Sequence, residues 1–113
     1  MCIKMIKIDN IIRINKKYDG SLINRSNLDF TIERANSEKN IYKSNAHLLK
    51  GIVQGRPFLD GNKSTASEIV LRRFAKQKIG CNKNSFEKGI INLAKEKNTP
   101  LIKIERRLRK WCK

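Results

Sequence analysis

The feature that most constrains the fold of this chain is the spacing of its apolar residues, which recur every three or four positions along most of its length. Apolar side chains at that spacing line one face of an α-helix. In the stretch about 63–79, the predicted buried face carries Ala66, Ile69, Val70 and Phe74. Residues that end helices separate the stretches, such as Asp19-Gly20, Pro57 and Gly80. The pattern predicts an all-α fold of about six helices, over residues 8–18, from Ser26 to Ala35, 44–54, about 63–79, 85–97 and from Pro100 to about Trp111.

Several helix ends are predicted from residues that cap helices. Ser26 and Asn62 can each accept a hydrogen bond from a first-turn backbone N–H, and Thr99 can do so before Pro100. Ser85 is predicted to begin the helix at 85–97. Two segments do not fit a helix: residues 36–43 are polar and irregular, which predicts a loop or flap, and a short strand is an alternative for residues 3–8.

Length and charge limit the organisation and the partners. A chain of 113 residues suits one compact domain, residues 1–113. Lys and Arg outnumber Asp and Glu by 26 to 10, and the net charge of +16 implies an anionic partner such as a nucleic acid, a nucleotide or an acidic protein. No apolar run is long enough to span a membrane or to form a signal peptide, so we expect a cytoplasmic protein that does not bind membranes.

The cysteine and histidine content argues against a zinc site. Cys2, Cys81 and Cys112 do not form a C-x-x-C pair, and His47 is the chain's one histidine. Cytoplasmic thiols stay reduced as a rule, so we predict three free thiols.

The stretch 57–63, "PFLDGNK", has the composition of an anion-binding loop that leads into a helix. Gly61 allows a tight turn and a close backbone approach. Lys63 places a cation at a helix N-terminus, where positive charge is locally unfavourable unless an anion binds there. Asp60 has the ligand chemistry for a divalent metal that bridges phosphates. An ordinary Asp-Gly turn followed by an asparagine cap is the alternative.

Residues 56–66, "RPFLDGNKSTA", resemble the signature loop of the Fic/Doc family, His-Pro-Phe-x-Asp/Glu-Gly/Ala-Asn-Gly/Lys-Arg, which Thr-Ala often follows. The helix before this loop and the order of the later helices are similar to those of Doc-like (death-on-curing) toxins, with a weaker match over about residues 5–112. The positions that match the signature are Pro57, Phe58, Asp60, Gly61, Asn62, Lys63, Thr65 and Ala66.

The resemblance implies a fold, a reaction and partners. Fic/Doc proteins are compact helical bundles that use ATP and magnesium to transfer AMP, or in Doc-type toxins a phosphate, to a hydroxyl of a target protein. Lys63 stands where Doc-type toxins tend to carry lysine. By the same resemblance, Asp60 would bind magnesium, Gly61, Asn62, Lys63 and Ser64 would hold the nucleotide phosphates, residues 36–43 would be the flap that aligns the target, and an acidic antitoxin would be the partner.

Two positions depart from the signature. The family's general base, a histidine, is Arg56 here, and a guanidinium cannot accept a proton. The family's closing arginine, which clamps a phosphate, is Ser64 here. The resemblance therefore implies weak or absent transfer, unless His47 replaces the base. The sequence does not show whether Arg56 is natural or an inactivating change.

Two further functions are compatible with the charge. One is a nucleic-acid-binding protein that reuses the fold, and the other is a module that holds an acidic partner segment. A solvated basic surface without a partner is equally compatible. The basic residues that would contact nucleic acid are Arg72, Arg73, Arg106, Arg107, Arg109 and Lys110, with Lys76, Lys78, Lys103 and Lys113 nearby.

Overall fold

Six α-helices and one short π-helix make up residues 4–113, the part of the chain that the structure, a computed structural model, describes. The predicted all-α bundle of about six helices is confirmed, and no β-sheet occurs in that part. None of the helices there has the length and apolar content needed to cross a membrane. The elements are α1 (Ile8–Lys16), α2 (Arg25–Ser37), α3 (Ile41–Leu49), the π-helix (Lys50–Gln54), α4 (Asn62–Lys76), α5 (Lys83–Lys95) and α6 (Leu101–Trp111).

Helix α3 and the π-helix that continues it form the centre of the bundle, between α2, α4 and α6. This segment is buried because apolar residues lie on several of its sides: Leu48, Leu49 and Ile52 are fully buried. Helix α4 packs on it through the face predicted from its spacing, which carries Ala66, Ile69, Val70 and Phe74. The apolar pattern therefore identified the core correctly.

Helix α3 begins earlier than the sequence suggested. The Asn40 side chain accepts hydrogen bonds from the backbone N–H groups of Tyr42 and Lys43, which fixes the first turn at Ile41. Since α2 ends at Ser37, only residues 38–40 lie between the two helices. The predicted loop or flap at residues 36–43 is therefore wrong, because an asparagine cap converts most of that polar segment into helix.

Several other predicted caps are also replaced. Asn24, not Ser26, caps α2 by accepting from the Asn27 N–H. Helix α5 begins at Lys83 rather than at the predicted Ser85, because Asn82 caps it by accepting from the Ser85 N–H. Thr99 does not cap α6, because its hydroxyl contacts side chains of Gln54 and Glu96 instead. Asparagine competes well with serine for caps, and the sequence offered both at two of these ends.

The N-terminal segment does not form the strand considered for residues 3–8. Residues 4–7 have no regular secondary structure, Ile8 begins α1, and residue 3 lies outside the described residues. The backbone of Ile6 forms its hydrogen bonds with the side-chain amide of Asn36, and not with a neighbouring strand. It accepts from the Ile6 N–H at 2.8 Å and donates to the Ile6 carbonyl at 3.0 Å.

Cys81 and Cys112 form a disulfide, so the prediction of free thiols is wrong for these two residues. Cys2 lies outside the described residues. The segments after α4 and after α6 run antiparallel: Gly80 and Lys113 exchange two backbone hydrogen bonds. This pairing sets the two cysteines directly opposite each other, although 31 positions separate them in sequence.

Candidate functional site

The predicted loop between two helices is confirmed: residues 57–61 join the π-helix to α4, and Asn62 and Lys63 are the first residues of α4. The start of this loop is anchored to the bundle. Phe58 is 1% exposed and forms an isolated antiparallel bridge with Leu22. The backbone of the α1–α2 connection holds both sides of Phe58: Ile23 N–H donates to the Pro57 carbonyl at 2.8 Å, and Leu59 N–H donates to the Ser21 carbonyl at 2.9 Å. The start of the loop therefore has a fixed position on the bundle.

Asn62 closes the loop rather than capping α4. Its side-chain Nδ2 donates to the Phe58 carbonyl at 2.8 Å, and its Oδ1 accepts from the Phe58 N–H at 3.1 Å. The side chain is buried, so these bonds are shielded from water. The predicted cap is wrong, because Gly61 is the residue before the first turn of α4 and the Asn62 side chain bonds to Phe58 instead.

Asn15 of α1 fixes the other side of the loop and was missed by sequence reasoning. It is 1% exposed, and its Nδ2 donates to the Asp60 carbonyl at 2.9 Å and to Thr65 Oγ1 at 3.0 Å. The signal was present in the spacing, since Asn15 lies four residues after Ile11 on the buried face of α1. A polar residue at an apolar position indicates a buried hydrogen-bonding role.

Gly61 leaves the start of α4 accessible. It has φ of 75°, a left-handed conformation, and a Cβ there would lie 2.9 Å from Cβ of Tyr18. No side chain of the described residues caps α4, and the first helical bond runs from Thr65 N–H to the Gly61 carbonyl. The N–H groups of Asn62, Lys63 and Ser64 therefore have no partner within the helix.

The chemistry that this arrangement offers is anion binding. Three unpaired N–H groups point along the helix axis, the helix dipole adds partial positive charge, and the exposed Lys63 adds a full one. Glu68, one turn beyond Ser64, does not oppose this charge because Lys17 and Arg72 lie 2.6 and 2.9 Å from its carboxylate. The hydrogen bond from Lys17 is the main cause that lowers the pKa of Glu68, and the hydrogen bond to Glu68 in turn raises the pKa of Tyr18.

Arg56 lies immediately before the loop in a strained backbone conformation. Its φ of 50° is unusual for a residue with a side chain. The residue is exposed and lies just beyond the π-helix, where its backbone N–H donates to the Ile52 carbonyl, four residues earlier, at 3.1 Å. Arg56 therefore presents a permanent cation, and not a proton acceptor, beside the loop.

His47 is not placed at the loop. It lies in the last turn of α3, and its Nε2 is 2.9 Å from Oε2 of Glu38. Arg56 lies nine residues further along the chain, which corresponds to roughly 13–14 Å along a helix axis. His47 lines a groove that also includes Gln54 and Gly55, the two residues before Arg56, so its replacement of the missing base stays a prediction.

The metal-binding capacity of the site is limited to one side chain. Asp60 is exposed in the loop, and residues 4–113 contain no group of three or more His, Cys, Asp or Glu that could hold a metal ion. A single carboxylate suits Mg²⁺ that is bound mainly by phosphates and water, but not a site built from protein ligands alone.

The basic residues predicted for nucleic acid are not equally available. Three of them form ion pairs: Arg72 with Glu68, Arg107 with Glu96, and Arg109 with Glu105, each at 2.9 Å. Arg109 also lies 4.5 Å above the ring of Tyr42. Arg106 and Lys110 are exposed and have no ion-pair partner within residues 4–113, whereas Arg73 is partly buried.

No family model, no curated protein and no solved structure matches this chain. The resemblance to Fic/Doc proteins therefore depends on the residues of the loop itself.

Proposed function

We propose that this chain is a Doc-like Fic-fold protein that binds the phosphates of a nucleotide at residues 57–63. Its transfer of phosphate or AMP to protein hydroxyls is slow or absent. The observation that carries the proposal is the loop geometry: Asn62 closes the loop onto Phe58, Gly61 turns the chain, and the first N–H groups of α4 point outward beside Lys63. The residue order resembles the Fic/Doc signature at the same positions.

Each residue of the loop would make a different contact with the bound nucleotide. The N–H groups of Asn62, Lys63 and Ser64 would bind phosphate oxygens, and the Lys63 ammonium would neutralise them. Asp60 would hold magnesium, which would shield the negative charge of ATP. Ser64 offers one hydroxyl in place of a guanidinium clamp, which predicts weak binding.

Arg56 is the reason for slow or absent transfer. A hydroxyl acceptor has to lose its proton as it attacks phosphorus, and a base near neutral pKa accelerates this step by about 10²–10⁴-fold. Arg56 stays protonated, so it favours binding of an anion without turnover.

The strongly positive chain would suit an acidic antitoxin in a toxin–antitoxin pair, and a short acidic reading frame beside the gene would support that partner. The expected cytoplasmic location stays a prediction.

Replacing Lys63 with alanine is expected to weaken binding of ATP and magnesium. The loss should be roughly 10- to 150-fold, since a hydrogen bond to a charged group contributes about 1.5–3 kcal/mol. Isothermal titration calorimetry on the parent and the variant measures the effect. Lys95→Ala removes the same charge from an exposed position at the far end of α5 and is the matched control. Equal affinities for parent and Lys63→Ala would contradict the proposed location.

Binding of nucleic acid is a second candidate, favoured by the exposed outer face of α6. Arg106 and Lys110 lie there without carboxylate partners among the described residues. Reversal of both charges to glutamate should strongly lower the affinity for double-stranded DNA or RNA. The slope of the logarithm of the binding constant against the logarithm of the salt concentration should become shallower by the equivalent of about two phosphate contacts. Fluorescence anisotropy over a salt series measures both. An absence of binding at about 50 mM salt would exclude this candidate.

A further inference from the structure

A groove on the opposite half of α4 from the loop has the chemistry of a second binding site. It has a volume of about 540 Å³ and lies between α1, the C-terminal half of α4 and the N-terminal segment. Such a volume is within the range of small-ligand pockets, about 300–1,000 Å³. Lys63 and Arg73 are ten residues apart on α4, or roughly 15 Å along the helix, so the groove is distinct from the loop.

The groove is positively charged and lacks compensating acids. Six of its lining residues are lysine or arginine, and none of the described residues that line it is acidic. Glu68 neutralises the positive charge of only two lining residues, through its ion pairs with Lys17 and Arg72. The cations without an ion-pair partner among residues 4–113 are Lys4, Arg13, Arg73 and Lys76.

Arg73 is the most unusual of these cations because it is partly buried without a carboxylate. Its Nη1 donates to Ser44 Oγ at 2.9 Å and to Asn45 Oδ1 at 2.7 Å, both uncharged acceptors. Its Nη2 and the Nδ2 of the fully buried Asn45 have no hydrogen-bond partner in the described chain. Burial lowers the pKa of Arg73 to about 10, so the guanidinium is still charged at neutral pH. A buried cation with only neutral partners is costly, and an anion brought close to it would reduce that cost.

The floor of the groove is aliphatic. Ile14 and Ile41 are partly exposed within it, Ile11 and Ile69 lie beneath, and Met5 at its edge is 69% exposed. No aromatic side chain is among the described lining residues, so the groove offers no platform for stacking a nucleobase. Methyl and methylene groups instead match an alkyl chain.

We propose that this groove binds an anionic amphiphile, with its alkyl chain on the isoleucine floor and its phosphate or carboxylate head beside Arg73, Arg13 and Lys76. The ligand is either a free molecule or the headgroup region of an anionic lipid surface. The proposal is independent of the function proposed for the loop, because the two sites share no residue.

The direct test is calorimetric titration with decyl phosphate below its micelle-forming concentration. The parent should bind one molecule per chain, and decanol, which has the same chain and no charge, should bind at least ten-fold more weakly. Arg73→Gln keeps side-chain donors but removes the charge, and it should weaken decyl phosphate binding by ten-fold or more. Arg106→Gln makes the same change on an exposed face of α6 and should have no effect.

A second variant keeps the test valid if Arg73→Gln does not fold, which circular dichroism would show. Arg13→Gln/Lys76→Gln alters two exposed groove cations and should weaken binding by a similar factor. Vesicles with anionic or only zwitterionic lipids distinguish the sources. Binding of decyl phosphate alone indicates a free amphiphile, and added binding to anionic vesicles that depends on Arg73 indicates a lipid surface.

Three results would overturn the proposal. The first is an absence of saturable decyl phosphate binding. The second is an equal loss of decyl phosphate affinity in Arg73→Gln and Arg106→Gln. The third is binding of an acidic amphipathic peptide in this groove without any binding of the amphiphile.

Discussion

The double variant Arg56→His/Ser64→Arg should transfer label from ATP into protein about 10²–10⁴-fold faster than the parent chain. The histidine supplies a proton acceptor at the position that the Fic/Doc resemblance assigns to the base, and the arginine supplies a second cation for the phosphates. The backbone is compatible with the change, since Arg56 has φ of 50° and histidine adopts that region more readily than most residues. The assay incubates each variant with labelled ATP, magnesium and a cell extract, and measures labelled protein.

The single variants distinguish the effect of restoring the base from the effect of restoring the phosphate-binding arginine. Arg56→His alone should restore part of the activity, and Ser64→Arg alone should improve ATP affinity without restoring turnover. His47→Gln in the restored background is the control for the distant histidine and should leave the rate unchanged. Robust transfer by the parent would show that another group serves as the base. Failure of the double variant in spite of tight ATP binding would reject the transferase and leave a phosphate-binding protein.

Loss of the Cys81–Cys112 disulfide should lower the free energy of unfolding by about 3–4 kcal/mol. The bond closes a loop of 31 residues that contains α5 and α6, and cross-links of that length restrict the unfolded chain by about this amount. The bond also holds the chain end at the core, where Cys112 is fully buried and its carbonyl accepts from the Tyr42 hydroxyl at 2.8 Å. Urea unfolding of the parent with and without a thiol reductant measures the difference.

Substitutions assign the effect to this one bond. Cys81→Ser should unfold at the same urea concentration as the reduced parent, and reductant should not destabilise it further. Cys2→Ser leaves the disulfide residues intact and should retain the stability of the oxidised parent. If thiol titration of the unfolded, unreduced parent finds three free cysteines, the bond is absent in solution.

Helix content and core residues were predictable because they depend on local spacing. The apolar face of α4 was identified before its neighbours were known, and so was the position of residues 57–63 between two helices. Helix periodicity expresses which side chains share a face, and that information lies within a few residues of sequence. Exact helix ends were less predictable, because adjacent asparagine and serine residues compete for the same cap.

Pairing between distant residues was decided only by the tertiary structure. Asn15 reaches Asp60 and Thr65 across 45 and 50 residues, and Cys81 meets Cys112 because two chain ends run side by side. The basic residues were all visible in the sequence, yet only packing determined that Arg72 has a carboxylate partner while the adjacent Arg73 is partly buried without one. The sequence by itself therefore determined the helices, the core faces and the position of the loop between two helices. The partners of its polar and charged groups depended on how the helices pack, because hydrogen bonds and ion pairs form only at a few ångströms and local spacing carries no information about such distances.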